Sequence, residues 1–328
     1  MERMKITVFA DPVCTWCWGS VPVIRALKYR YGEQLDVDYV MGVMIEDITT
    51  YNDRRSGIGG DTALSNRNIH KAWLEASAVH GMPVCESGFR LFSPERRSTL
   101  PQNRAFITAS LYARESNGSI PAVVPLYYLR RIQEATAVDA ILTNDVDTLA
   151  DMSAVVGFEP AYFKELYLSE AVDELLKEAK GHCRSYEVNK FPTYILEYRN
   201  EEMMLRGYSN FDLVRHCIDQ LSYNAVKPLS DGRELFTADN VKAFMEQFGG
   251  AYPVEIATAF SLARKPGHTA LNAESYVGLS DMLDELMDAG EVAMTPRGNG
   301  FMFYNLKAVK GKWQEHMHAE GIRTATIL

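Results

Sequence analysis

Ile6-Thr7-Val8-Phe9-Ala10-Asp11-Pro12-Val13-Cys14-Thr15-Trp16-Cys17-Trp18-Gly19 reads as a strand that runs through a turn into a helix carrying two cysteines. Ile6 to Ala10 is β-branched and aromatic, and Asp11-Pro12 breaks it. From Thr15 to Tyr31, Trp18, Val21, Ile24, Leu27 and Tyr31 recur at helical spacing. Pro22 falls inside that run and predicts a kink or restart. Gly32 ends the helix, and Leu35 to Val43 alternates as a second strand.

The position of the cysteines suits redox chemistry. First-turn amides of a helix lack intrahelical partners and carry the positive end of its dipole, which favours a thiolate at Cys14. Cys17, three residues on, shares the helical face, with a Cα separation of about 5–6 Å that a disulfide can bridge. Cys14 is expected to attack as the more exposed thiol, and Cys17, shielded behind it, to resolve the mixed disulfide. A CxxC can also be half a zinc site or a structural pair. No second CxxC or HxxxH completes a metal site, and the only other compact cluster is His316-Met317-His318 in the tail. No metal and no cofactor are expected.

Further along, the pattern is helical from about 60 to 185. Candidate helices are Ser65–Gly81, Pro101–Glu115, Val123–Glu134, Val146–Val156 and Pro160–Cys183, the last divisible in two. Strand signals return at Phe191–Tyr198 and Met203–Arg206, a hairpin across Arg199 to Glu202, before a helix over Asn210–Leu221. The order β-α-β, helical block, β-β-α describes one sheet with an insertion. Pro192, which cannot donate to a ladder, stands at the start of the returning strand. Gly57-Ile58-Gly59-Gly60 lacks the lysine of a phosphate loop and reads as a mobile loop.

Asp11-Pro12-Val13-Cys14-Thr15-Trp16-Cys17-Trp18-Gly19 resembles the signature of cytoplasmic DsbA-like thioredoxin-superfamily proteins of the protein-disulfide isomerase branch, and Phe191-Pro192-Thr193 resembles their cis-proline segment. The resemblance covers about residues 4 to 224. It implies an α/β thioredoxin-like sheet with an inserted helical domain, Cys14 as nucleophile, Cys17 as resolving thiol and Pro192 in cis beside them. Lys190 stands where that family usually has glycine. Trp16, Trp18, Phe191 and Thr193 are candidate substrate contacts, the tryptophans as an apolar rim, although Trp18 suits the core at least as well. Asp11 is accounted for by its Asp-Pro turn. His70 and His80 carry no signal of their own.

The pattern changes near Pro228 to Gly232, which predicts two domains, 1–229 and 230–328. The second suggests helices over Thr237–Phe248, Pro253–Arg264 and Asn272–Ala289, then a hairpin of Val292–Thr295 and Phe301–Asn305. That is the outline of a winged-helix-like α+β domain. Its third helix carries Glu274, Asp281, Asp284, Glu285 and Asp288 and no cation, and residues 231–328 hold nine basic against thirteen acidic side chains. Together with a net charge of −9, this argues against nucleic-acid binding. A homodimer or protein contact through this domain is expected instead.

No apolar run is long enough for a bilayer, and the N-terminus enters its first strand without an apolar signal core. Five cysteines in 328 residues, an odd count, suit a reducing compartment, so a cytoplasmic location is expected. Two functions from different classes follow. One is thiol–disulfide exchange on protein or small-thiol substrates. The other, which the resemblance to DsbA-like proteins implies, is an adaptor that recruits a client to a protease.

Overall fold

The computed structural model describes residues 2–307; the His316-Met317-His318 cluster lies outside them. Strands β1 (Met4–Ala10), β2 (Leu35–Met41), β3 (Thr193–Tyr198) and β4 (Glu201–Arg206) form one sheet in the order β2-β1-β3-β4. β1 and β2 are parallel, whereas β1–β3 and β3–β4 are antiparallel. Alternation along β1 sends Met4, Ile6, Val8 and Ala10 into the main core, while Phe9 packs with Ile195 and Cys183 on the opposite face.

The cysteine-bearing helix is two helices, α1 (Thr15–Gly19) and α2 (Val21–Tyr31). The break falls at Ser20, whose amide bonds back to the Cys17 carbonyl, rather than at Pro22. Pro22 instead occupies the first turn of α2, where a missing N–H costs nothing. α3 (Thr62–His80), α4 (Leu100–Glu115), α5 (Val124–Ala137), α6 (Val146–Ala154), α7 (Pro160–Tyr167) and α8 (Glu170–Ser185) all lie between β2 and β3. The stretch read as Pro160–Cys183 divides at Leu168, and the Ser169 hydroxyl caps α8. The predicted four-residue turn between β3 and β4 tightens to Arg199-Asn200, with Arg199 in the left-handed region at φ 56°. The glycine loop is closed by reciprocal backbone bonds between Asp53 and Ile58. α9 (Phe211–Leu221) follows, capped by Asn210.

Beyond residue 230 come α10 (Ala238–Phe248), α11 (Pro253–Ala259), α12 (Leu279–Asp288), β5 (Val292–Arg297) and β6 (Gly300–Asn305), so three helices precede a hairpin as expected. Two of these helices are shorter than their periodicity suggests. Ser261 at φ 53° stops α11, and Gly278 at φ 76° starts α12. Leu279, Leu283 and Leu286 bury against the core that holds Phe244, Ile256 and Phe260, while Phe248 and Met287 are only partly covered.

The two parts share one continuous hydrophobic core. Charge also crosses between them. The Glu255 carboxylate, fully buried at the start of α11, takes Arg25 of α2 at 2.9 Å and Arg130 of α5 at 3.0 Å, and accepts the Tyr252 amide at 2.9 Å. Burial lowers the Arg25 guanidinium to about 10, and the facing Glu255 opposes that shift. Arg30 reaches the Ser230 and Ala259 carbonyls.

Cutting the chain at residue 230 would strip the partners from two buried guanidiniums, so both parts are expected to unfold together. Glu255→Ala would leave Arg25 and Arg130 without this shared carboxylate and cost roughly 3–5 kcal/mol. Urea denaturation followed by tryptophan fluorescence and by far-UV circular dichroism should show one shared transition, moved down in Glu255→Ala. Two separate transitions would contradict the shared core.

Candidate functional site

Cys14 occupies the N-cap of α1 and Cys17 its third residue, so the strand–turn–helix junction presents both sulfurs at one place. The Cys14 side chain makes no capping hydrogen bond to the helix amides. Its thiol lies 3.6 Å from the Phe191 carbonyl oxygen, to which it donates. The Phe191–Pro192 bond is cis, and the Pro192 carbonyl accepts the Gly207 amide at 2.8 Å. Gly42 makes room for the Phe191 ring, because a Cβ there would stand 2.0 Å from its Cζ. Cys14, Cys17, Phe191 and Pro192 are thus gathered in one site.

Exposure differs from expectation. Cys14 is 4% and Cys17 5% exposed, so neither thiol is the open one. The Phe191 turn closes over Cys14 from one side. Burial, then the hydrogen bond and charge of neighbouring Cys14, push the Cys17 thiol well above its ordinary pKa, keeping it protonated. Tyr39, partly buried, and Tyr194, fully buried, both have their phenols raised by burial.

The aromatic candidates separate. Trp16 is 36% exposed and its ring stands at the rim, 5.6 Å from Tyr208 and 5.9 Å from His80 between centroids. Trp18 does not belong to that rim. It is fully buried, donates its indole N–H to the Pro83 carbonyl at 2.8 Å, and lies under the Arg130 guanidinium at 4.4 Å. Thr193 is buried too, and its hydroxyl donates to the Lys190 carbonyl at 2.8 Å, holding the turn rather than facing substrate.

Two residues gain roles that their sequence context did not suggest. The Asp11 carboxylate is fully buried and accepts the Val13 amide (2.9 Å), the Met44 amide (2.7 Å), the Thr99 hydroxyl (2.7 Å) and the Asn103 side-chain amide (2.9 Å). Burial still pushes its carboxyl above the usual range, against those four bonds. His80, at the end of α3, accepts the Met82 amide on Nδ1 at 3.1 Å, which leaves Nε2–H to face the Thr15 hydroxyl at 3.4 Å. The imidazole lies on Gly19, where a Cβ would stand 2.5 Å from the ring. Burial lowers His80 to about 3, so it is neutral at working pH.

A cleft of about 850 Å³ opens on the sheet beside α4 and α8, lined by Thr7, Phe9, Phe106, Arg114 and Ile195, and neither cysteine borders it. Cys85, Cys183 and Cys217 are free and buried. No cluster of three or more His, Cys, Asp or Glu side chains poised to hold a metal exists among the described residues. No described helix is long and apolar enough to cross a membrane.

No family model matches the chain. Among solved structures, it is similar to a Nitrosomonas europaea protein solved as a candidate protein disulfide isomerase (19% identity, TM-score 0.55, 68% of this chain and 100% of that one). It is also similar to the cytosolic disulfide reductase DsbM of Pseudomonas aeruginosa (18% identity, TM-score 0.50, 67% and 100%). Among curated sequences it is similar to the ClpXP adapter protein SpxH of Bacillus subtilis, 23% identical with 80% of each chain aligned. SpxH of Halalkalibacterium halodurans is 20% identical, over 80% of this chain and 79% of that one. The chain has the DsbA-like thioredoxin fold.

A histidine buried neutral makes stability depend on pH. The unfolded chain takes up a proton near pH 6.5 that native His80 refuses until about 3. Stability from this group is therefore complete above 6.5 and declines by about 1.4 kcal/mol per pH unit as pH falls through that window. His80→Gln should flatten the slope of urea stability between about pH 6.5 and 4.5 by that amount. Identical slopes in variant and wild type would place His80 in solvent.

Proposed function

We propose that the chain is a thiol–disulfide oxidoreductase acting on protein or small-thiol disulfides in the cytoplasm. The observation that carries this reading is the pairing of Cys14, beside the Phe191 carbonyl, with a Cys17 held in its thiol form. In reduction, the Cys14 thiolate attacks one sulfur of the substrate disulfide, and the other leaves as a thiolate. Cys17 then gives up its proton and attacks the Cys14 sulfur, releasing the second substrate thiol and leaving a Cys14–Cys17 disulfide. Because both sulfurs are covered, docking has to shift the Phe191 turn before sulfur meets sulfur. Pro192 and Phe191 shape the docking edge and Thr193 holds it from behind. No cofactor enters the exchange.

A second reading, a client-recruiting adaptor, is favoured by a separate observation. The alignment with SpxH covers 80% of the chain, more than residues 1–229 can supply, whereas the disulfide proteins align over about two thirds. The region after residue 230 therefore shares in the likeness to an adaptor, and a protein partner or a second copy would meet the chain there.

The readings separate on the cysteines. Cys14→Ser should reduce insulin turnover with dithiothreitol to the uncatalysed rate, and Cys17→Ser should accumulate mixed disulfides visible on non-reducing gels. Wild type and Cys14→Ser that are equally inactive, with client delivery to a protease intact in the double serine variant, would favour the adaptor.

A further inference from the structure

We infer that residues beyond 230 complete the rim of the thiol site, and that Lys190 on one side with Arg264 and Lys265 on the other suit it to an acidic segment of a client protein. This rests on the reading that the Cys14 face receives a protein.

The rim has an aromatic centre. Trp16, His80 and Tyr208 lie within 5.6–6.4 Å of one another between ring centroids, with Trp16 the exposed member. Gly81, which directly follows His80, leaves no room for a Cβ, because the Ala270 carbonyl would stand 2.5 Å from it; that carbonyl accepts the Tyr276 hydroxyl at 2.7 Å, so the chain beyond residue 230 lies against the His80 end of the rim. Arg264 belongs to the loop after α11, where a backbone bridge to Tyr276 fixes its place. Lys265 follows, its amide held by the Ser275 carbonyl at 2.7 Å. On the far side Lys190 directly precedes Phe191, whose carbonyl receives the Cys14 thiol.

These cations are unspent. Lys190, Arg264 and Lys265 are exposed, and none has a side-chain ion pair or hydrogen bond among the described residues. Elsewhere Lys5, Lys164, Lys180 and Arg199 are each paired with a carboxylate. Glu274, exposed and directly before the Ser275 whose carbonyl holds the Lys265 amide, sets one carboxylate on this edge against the three cations. Glu187, three residues before Lys190, makes no ion pair with it. The overall charge of −9 does not cancel this local field. At 0.1 M salt, exposed charges beyond about 10 Å are largely screened, so the charges of the rim itself set its local field. An apolar or aromatic side chain with neighbouring Asp and Glu matches both features, because aromatic faces and arginines are what interfaces enrich.

Fluorescence anisotropy with labelled peptides tests this on the full chain. One peptide carries a central phenylalanine flanked by Asp and Glu, and a second has the same centre flanked by Lys. At about 50 mM salt the acidic peptide should bind at least about tenfold more tightly, and the advantage should shrink near 500 mM. K190E and the double variant R264E/K265E should each erode it. Equal affinities, failure of both peptides to bind, a preference untouched by these substitutions, or equally tight binding of duplex DNA would overturn the inference. Reaction with the uncharged disulfide 4,4′-dithiodipyridine is followed in parallel. Inert thiols with a retained acidic preference would remove the redox reading alone, whereas reactive thiols without the preference would remove this inference alone.

Discussion

Burying the Asp11 carboxylate is the constraint on which the site depends. A carboxylate taken out of water is costly unless nearly every lone pair finds a donor. Here the donors come from the cysteine turn itself, from the chain just after β2, and from the first turn of α4 with its cap. Satisfying one side chain therefore fixes the thiol turn against both the sheet and the helical insertion. Val13, whose amide reaches Asp11, directly precedes Cys14, so the sulfur inherits its position from that carboxylate.

A second anchor acts from the other side of α1. Trp18 is held between Arg130 and Tyr252, whose ring meets it edge-on at 6.0 Å, and Glu255 ties Arg130 to Arg25. Burial alone would raise the neighbouring Glu134 carboxyl, yet Arg130 and its companions outweigh that and hold it below the ordinary range. The helix carrying the cysteines thus rests on a charged layer to which the region beyond residue 230 contributes. An oxidoreductase and an adaptor would both use such a frame, since each must hold a client-facing surface steady.

Much of this was legible in the sequence where its cause is local. Period-two and period-3.6 patterns marked the strands and most helices, and the spacing of Cys14 and Cys17 marked the site. Local rules also misplaced boundaries: Ser261 and Gly278 bound helices through left-handed backbone conformations that apolar periodicity does not register, and Ser20 divides α1 from α2 through its amide bond to the Cys17 carbonyl. The distant partners could not be read. Thr15 meets His80 across 65 positions, and Asp11 meets Asn103 across 92. Trp18 looked equally suited to rim and core because a tryptophan beside a cysteine motif fits both; the Arg130 face and the Pro83 carbonyl decide for the core. The nearness of the Phe191–Pro192 turn to the cysteines followed from the family resemblance, whereas its covering of Cys14 did not.

The central claim is that Cys14 and Cys17 form a reversible couple. Equilibrating the protein in glutathione buffers of graded potential, quenching with acid, and counting alkylated thiols by mass spectrometry measures it directly. The account predicts a single two-electron transition confined to Cys14 and Cys17, at a potential between about −270 and −120 mV, with Cys85, Cys183 and Cys217 reduced throughout. A chain that keeps all five thiols across that range, or that oxidises through the other three, would contradict it.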